Sequence, residues 1–159
     1  MMKIAFAASK GGHLGQIKII FTNEVIGKNE AILVTESSER DLRAKEGYFN
    51  GKYRAYFFRK DYLGLNPFRY LSAILQLRTL FMKEKIDIVV TNGAQISIPA
   101  VIAARLLRIK SIFIDTIVRV KSPNWSARAC YMFSNKFVVQ HRNMIKKYGN
   151  KSEYWGSII

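Results

Sequence analysis

Short apolar runs alternate along this chain with longer stretches in which apolar residues return every three or four positions. The runs lie near residues 2–8, 31–35, 53–58, 86–91, 111–115 and 136–140, with a less marked one at 153–155, and are predicted as strands. The periodic stretches near 13–26, 38–47, 67–84, 97–108, 123–133 and 142–148 are predicted as helices. Segments such as IDIVV, SIFI and KFVVQ are apolar on both faces, as parallel strands covered by helices require. The predicted fold is α/β: one Rossmann-like domain over residues 1–159, with a mostly parallel sheet flanked by helices. No repeat, low-complexity stretch or linker marks a boundary within it.

The stretch after Asn66-Pro67 departs from the ordinary pattern. Asn suits the cap and Pro the first position of a helix. Within the helix they start, Arg69, Ser72, Gln76, Thr79 and Lys83 form one narrow polar stripe, while Phe68, Tyr70, Leu71, Ile74, Leu75, Leu77, Leu80, Phe81 and Met82 occupy the rest. A helix resting on a sheet needs an apolar face much narrower than this. Upstream, Lys52, Arg54, Arg59 and Lys60 alternate with Tyr53, Tyr56, Phe57, Phe58 and Tyr62, a mixture suited to a lipid headgroup layer. Arg54, Phe57, Phe58, Arg59, Lys60, Phe68, Arg78 and Phe81 are therefore expected to contact a membrane or a partner. The other reading is a well-buried helix beside a solvated basic edge.

Charge supports the first reading without selecting a polyanion. Lys and Arg number 26 against 11 Asp and Glu, a formal charge of +15, which attracts anionic membranes, phosphorylated lipids or nucleic acid. Each cation at an anionic bilayer contributes about 1 kcal/mol. Arg78 and Arg105 interrupt the two most apolar segments, so any membrane contact is expected to be peripheral. The N-terminal apolar run ends at Ser9-Lys10, too short for a signal-peptide core. Cys130 is the only cysteine, so no internal disulfide forms, which suits a reducing cytoplasm.

Ligands of open parallel sheets bind beyond the carboxyl ends of the strands. After the first predicted strand come Gly11, Gly12 and His13; after the fourth come Asn92, Gly93, Ala94 and Ser97, with Pro99 close behind. Small residues at both places predict two outward-facing amide nests that together cradle a diphosphate, with Ser97 capping the second helix. Gly-x-Gly-x-x-Gly and Walker loops are absent, which argues against nicotinamide, flavin or nucleotide hydrolysis. One cysteine and two distant histidines make no metal set. KYRAYFFRK matches an RNA-stacking signature only loosely, so no nucleic-acid partner is expected. His13, at a helix start whose dipole disfavours imidazolium, is either a structural histidine or a neutral proton acceptor. Asp115, which precedes Arg119 and Lys121, either orients a sugar hydroxyl or positions a catalytic base, or else pairs with Arg119.

SKGGHLGQI, VVTNGAQISIPA, IFIDTIVRVKSP, FVVQ and YWGSI occur in an order that resembles bacterial capsule and exopolysaccharide proteins of the PssD/CpsF type. These are similar to the membrane-recruiting subunit of the two-part N-acetylglucosaminyltransferase of dolichol-linked oligosaccharide assembly. The likeness spans essentially the whole chain, although Asp115 stands where relatives more often carry Glu. The resemblance implies the acceptor-binding N-terminal half of a GT-B glycosyltransferase, an expectation with which the end of the chain at GSII, with no second Rossmann unit, agrees. It further implies a small separate subunit that binds the UDP-sugar donor, a polyprenyl-diphosphate-linked acceptor, no other cofactor, and inverting, metal-independent transfer at the cytoplasmic membrane face. Gly11, Gly12 and His13 would then border the acceptor diphosphate, 93–97 would complete the phosphate loop, and Asp115 with Arg119 would face the acceptor sugar. His13 and Asp115 are the candidate bases; a non-catalytic scaffold that recruits the donor-binding subunit is the alternative.

Overall fold

The computed structural model describes residues 1–9, 11–20, 29–35, 53–57, 63 and 66–157. Within these, β1 (Lys3–Ala8) leads into α1 (Gly12–Ile20), followed by β2 (Glu30–Thr35) and β3 (Tyr53–Phe57). Then α2 (Pro67–Lys83), β4 (Ile88–Thr91), α3 (Ser97–Leu106), β5 (Lys110–Ile114), α4 (Trp125–Phe133) and β6 (Lys136–Val139) alternate. A 3-10 turn at Arg142–Met144 runs into α5 (Ile145–Tyr148), and β7 (Ser152–Tyr154) completes the set. Every predicted strand is present, and the helices start and stop close to their expected positions. The helix expected at 38–47 and the end of the first one lie outside the described residues.

The strands form one sheet in the order β3-β2-β1-β4-β5-β6-β7, every neighbouring pair parallel. Ala7 lies in register with Val34 on one side and Thr91 on the other. From β1 the chain first builds outward through β2 and β3, then returns to build the other half from β4. This reversal opens a crevice at the carboxyl ends of β1 and β4, where such sheets hold their ligands.

Strand alternation sorts the core between the two faces. Ile4, Phe6 and Ala8 pack with Leu14 and Ile17 of α1. On the other face, Ala5 and Ala7 meet Leu77 and Phe81 of α2 and Ala100, Ala103 and Ala104 of α3. These small residues let α3 approach the sheet closely. Under β5 and β6, the stacked rings of Phe113 and Phe137, with centroids 4.8 Å apart, anchor a third cluster.

The wide apolar arc of α2 is divided between two environments. Asn66 Oδ1 accepts from Phe68 N at 3.0 Å, which starts the helix as expected. Packing turns Ala73, Leu77 and Phe81 onto the sheet, each fully buried. This corrects the expectation that Phe81 meets a membrane: its ring fills the space beside Val89 and Ile32. Phe68, 80% exposed, and the half-exposed Leu71, Leu75 and Met82 form the outward stripe. No helix among the described residues is long and apolar enough to cross a membrane.

Candidate active site

The crevice is built from two loops with different characters. At the end of β1, Gly11 turns the chain at φ +83° and its carbonyl accepts from Gly15 N at 3.1 Å, closing the first turn of α1. Gly11 and Gly12 are exposed, and a Cβ placed on either would meet nothing within 4 Å. The first-turn amides of α1 have no partner within the helix, so this loop faces open space with its positive end.

The loop after β4 turns inward. Thr91 Oγ1 donates to Ala7 O at 2.6 Å and lies 2.5 Å from Ser97 Oγ. Ser97 Oγ accepts from Gly93 N at 3.0 Å and donates to Gly93 O. Ser97 and Asn92 are fully buried, and Gly93 is buried as well. This corrects two expectations. Gly93 does not present its amide outward, because a buried hydroxyl must find partners and Ser97 takes the turn's own groups; and α3 starts without a side-chain cap, because Ser97 is committed to that turn. Ala94, at φ +61°, remains partly exposed at the rim.

His13 joins the two loops. Its Nδ1 lies 2.8 Å from Asn92 O, and Asn92 Nδ2 donates to His13 O at 2.6 Å. A carbonyl only accepts, so Nδ1 carries the proton and neutral His13 keeps its lone pair on Nε2. No group among the described residues bonds Nε2. Burial lowers the pKa of His13 below its ordinary value; the Asn92 bond opposes this, the Arg119 charge adds to it and the Asp115 charge opposes it.

Asp115, at the end of β5, is almost fully buried. Its Oδ1 accepts from Thr116 N at 2.9 Å and Arg119 Nε at 3.1 Å, and its Oδ2 accepts from Tyr148 OH at 2.8 Å. Burial holds its pKa above the usual carboxylate value despite the Tyr148, Arg119 and Thr116 donors. Of the two readings of Asp115, the geometry forms the ion pair with Arg119. Both carboxylate oxygens are engaged, so His13 is the candidate base whose lone pair is open.

The loop that follows is tied down through its backbone. His141 Nε2 lies 2.6 Å from Ile117 O, Asn143 Nδ2 donates to Val120 O at 2.9 Å, and Lys147 bonds Lys121 O. From α1, Gln16 Nε2 donates to Thr116 Oγ1 at 3.0 Å. Gln16 and Tyr148 were missed by sequence reasoning. Gln16 left a trace as a polar residue between the buried Leu14 and Ile17; Tyr148 left none.

The profile of the family described as oligosaccharide biosynthesis protein Alg14 like matches residues 9–158. The chain belongs to this Alg14-like family. An enzyme of Clostridium botulinum named UDP-N-acetylglucosamine–N-acetylmuramyl-(pentapeptide) pyrophosphoryl-undecaprenol N-acetylglucosamine transferase is 40% identical over 82 residues, covering 48% of this chain and 23% of that enzyme. Its Legionella pneumophila namesake is 34% identical over 90 residues, covering 57% of this chain and 23% of that one. The crystal structure of Acinetobacter baumannii MurG matches with a TM-score of 0.78 at 14% identity, covering 99% of this chain and 46% of MurG. UDP-GlcNAc 2-epimerase from Neisseria meningitidis, bound to UDP-GlcNAc, matches at 0.75 and 15% identity, covering 99% and 47%. The Alg14-like chain thus spans about a quarter of the length of these curated relatives and under half of these structures. At these identities the structural likeness shows the fold: the α/β half of a GT-B architecture.

The residues expected at a membrane are dispersed over this Alg14-like domain. Phe68 and Arg78 are exposed on α2. Arg54 is exposed on β3 near the amino end of the sheet, where its NH2 lies 3.4 Å from Glu84. Phe57 belongs to β3, and Phe58, Arg59 and Lys60 lie outside the described residues. Beside Phe68, an apolar groove of about 410 Å³ between α2, α3 and α4 is lined by Tyr70, Leu71, Ile74, Ile98, Ile102 and Trp125, among others.

Proposed function

We propose that this chain is the membrane-associated, acceptor-binding subunit of a two-component glycosyltransferase, which extends a saccharide carried on polyprenyl diphosphate during capsule or exopolysaccharide assembly. The observation that carries this reading is the open Nε2 lone pair of His13 beside the exposed amino end of α1. Family membership supports it, as do relatives whose name specifies a pyrophosphoryl-undecaprenol acceptor. The acceptor diphosphate rests at Gly11 and Gly12, where first-turn amides without a partner in the helix and the helix dipole favour an anion. Arg119 adds a cation close enough to act on His13. A separate small subunit supplies most of the UDP-sugar site, and no metal or further cofactor enters the scheme.

In the transfer step, the acceptor hydroxyl gives its proton to His13 Nε2 as its oxygen bonds the anomeric carbon of the donor. The bond from that carbon to the diphosphate oxygen breaks, UDP leaves with the electron pair, and the configuration inverts. The neutral, Nδ1-protonated ring suits this role because a base must be unprotonated with its lone pair toward the substrate. The exposed stripe Phe68, Leu71 and Leu75, together with the net positive charge, brings the chain to the cytoplasmic face of an anionic membrane.

The test is His13→Ala in the chain co-purified with its donor-binding partner, assayed across UDP-sugars and polyprenyl-diphosphate acceptors. Turnover falls by about 10²- to 10⁴-fold, as expected for loss of a general base, while partner binding persists. Unchanged turnover would show that the chain only recruits its partner.

A further inference from the structure

We propose that Asn92 and Gly93 are positioning residues that form a fitted seat for the His13 imidazole and select the tautomer with its lone pair on Nε2. This deepens the reading of His13 as the base and rests on it. Asn92 grips residue 13 with both of its halves: its main-chain oxygen holds ring Nδ1 at 2.8 Å, and its side-chain Nδ2 holds the main-chain oxygen at 2.6 Å. The first contact sets the ring and the second sets the start of the helix that carries it. With Nε2 protonated instead, the Nδ1 lone pair would face the lone pairs of Asn92 O at the same distance, which is repulsive. Accepting a proton at Nε2 leaves the Nδ1 bond intact, so the ring keeps its place as it charges and discharges.

Gly93 supplies the floor of the seat. A Cβ at this position would lie 3.0 Å from Cε1 and 3.3 Å from Nδ1 of His13, but 3.9 Å from Nε2. The imidazole therefore rests against the glycine by its Cε1–Nδ1 edge, with Nε2 the most distant of the three atoms. The backbone at Gly93, φ +108°, also disfavours any side chain. Ser97 Oγ holds Gly93 N, Thr91 Oγ1 lies against Ser97 Oγ, and Thr91 reaches Ala7 O on β1. The contacts thus close a circuit from β1 through β4 to the loop and back to His13, which leaves the ring little room to shift.

The experiment uses the full chain with ¹⁵N-labelled histidine. Only His13 and His141 contribute ring signals, and His13→Gln assigns them. Nitrogen shifts of neutral His13 are expected to report Nδ1–H in the native chain and in Asn92→Ala, which keeps the main-chain acceptor, and a mixture with Nε2–H in Gly93→Ala, whose Cβ would displace the ring. With the donor-binding partner, both variants lose about 10- to 100-fold in kcat, the scale of a misplaced catalytic group, with acceptor KM little changed. Asn92→Ala keeps the loop conformation and so serves where the strain of Gly93→Ala prevents folding. Native His13 carrying its proton on Nε2, or Asn92→Ala leaving kcat unchanged, would overturn the seat. Full turnover of His13→Ala beside the expected nitrogen shifts would instead overturn the catalytic reading and leave the positioning geometry standing.

Discussion

Tyr148 donates its hydroxyl proton to Asp115 Oδ2 across 2.8 Å, linking α5 to the end of β5 beneath the candidate site. The buried carboxylate depends on this donor, with Thr116 N and Arg119 Nε, to offset its desolvation.

Replacing Tyr148 by Phe is expected to destabilise the fold by about 1–3 kcal/mol at neutral pH, the cost of a buried acceptor losing a partner. Burial already raises the Asp115 pKa from its ordinary 3.8. The stability this group contributes is therefore full below that value and is lost as pH rises through the raised one. Losing the Tyr148 bond raises the value further, so the deficit of the variant shrinks in acid. Urea unfolding at pH 4 and pH 7.5 measures the difference.

Glu84, at the opposite end of the sheet, has the reverse sign. Lys3 Nζ at 2.8 Å and Tyr56 OH at 2.5 Å both donate to it and hold its carboxyl below the ordinary 4.5. Its contribution is present above that value and lost as pH falls through the depressed one. Glu84→Gln is expected to cost about 1.5–3 kcal/mol at pH 7 and to flatten the acid limb of stability below pH 4.5, as read by thermal melts across pH.

Because burial, aided by the Arg119 charge, lowers the His13 pKa below 6.5, the acid limb of kcat/KM is expected below that pH. Activity is present above the pKa of the base and lost as pH falls through it. Arg119→Ala removes one lowering charge and moves the limb upward. A pH-rate profile of the assembled complex checks both shifts.

The two arcs of α2 are expected to respond oppositely to substitution. Leu71→Asp with Leu75→Asp leaves the fold intact and weakens sedimentation with anionic phospholipid vesicles by roughly 10²- to 10⁴-fold, since each inserted leucine contributes about 1.5–3 kcal/mol. Phe81→Ala leaves a cavity in the core and costs about 3–5 kcal/mol, read by circular dichroism melts.

Much of the fold is legible in the amino-acid order because strand and helix periodicity are local properties. IDIVV and SIFI are apolar on both faces, and β4 and β5 overlap them. Asn66-Pro67 marks the start of α2 to the residue, because a cap needs only its neighbours. Gly11 and Gly12 likewise mark an exposed helix start, and Asp115 with Arg119 announces an ion pair four residues apart.

The rest depended on partners that are distant in sequence. Within α2, Phe68, Leu71 and Leu75 recur at helical steps of three and four and Ala73, Leu77 and Phe81 at steps of four, both apolar; only docking on Ala5, Ala7 and Val89 determines which set is buried. The loop after β4 has the composition of an outward amide nest, yet strand order brings His13, 79 residues earlier, onto Gly93 and Asn92. Periodicity and caps act over a few residues, so the sequence alone determined the elements, their ends and the end of the sheet that holds the candidate site. Hydrogen-bond partners follow from which strands become neighbours, so only the tertiary structure left one glycine loop open at a helix start and made the other the seat of a histidine.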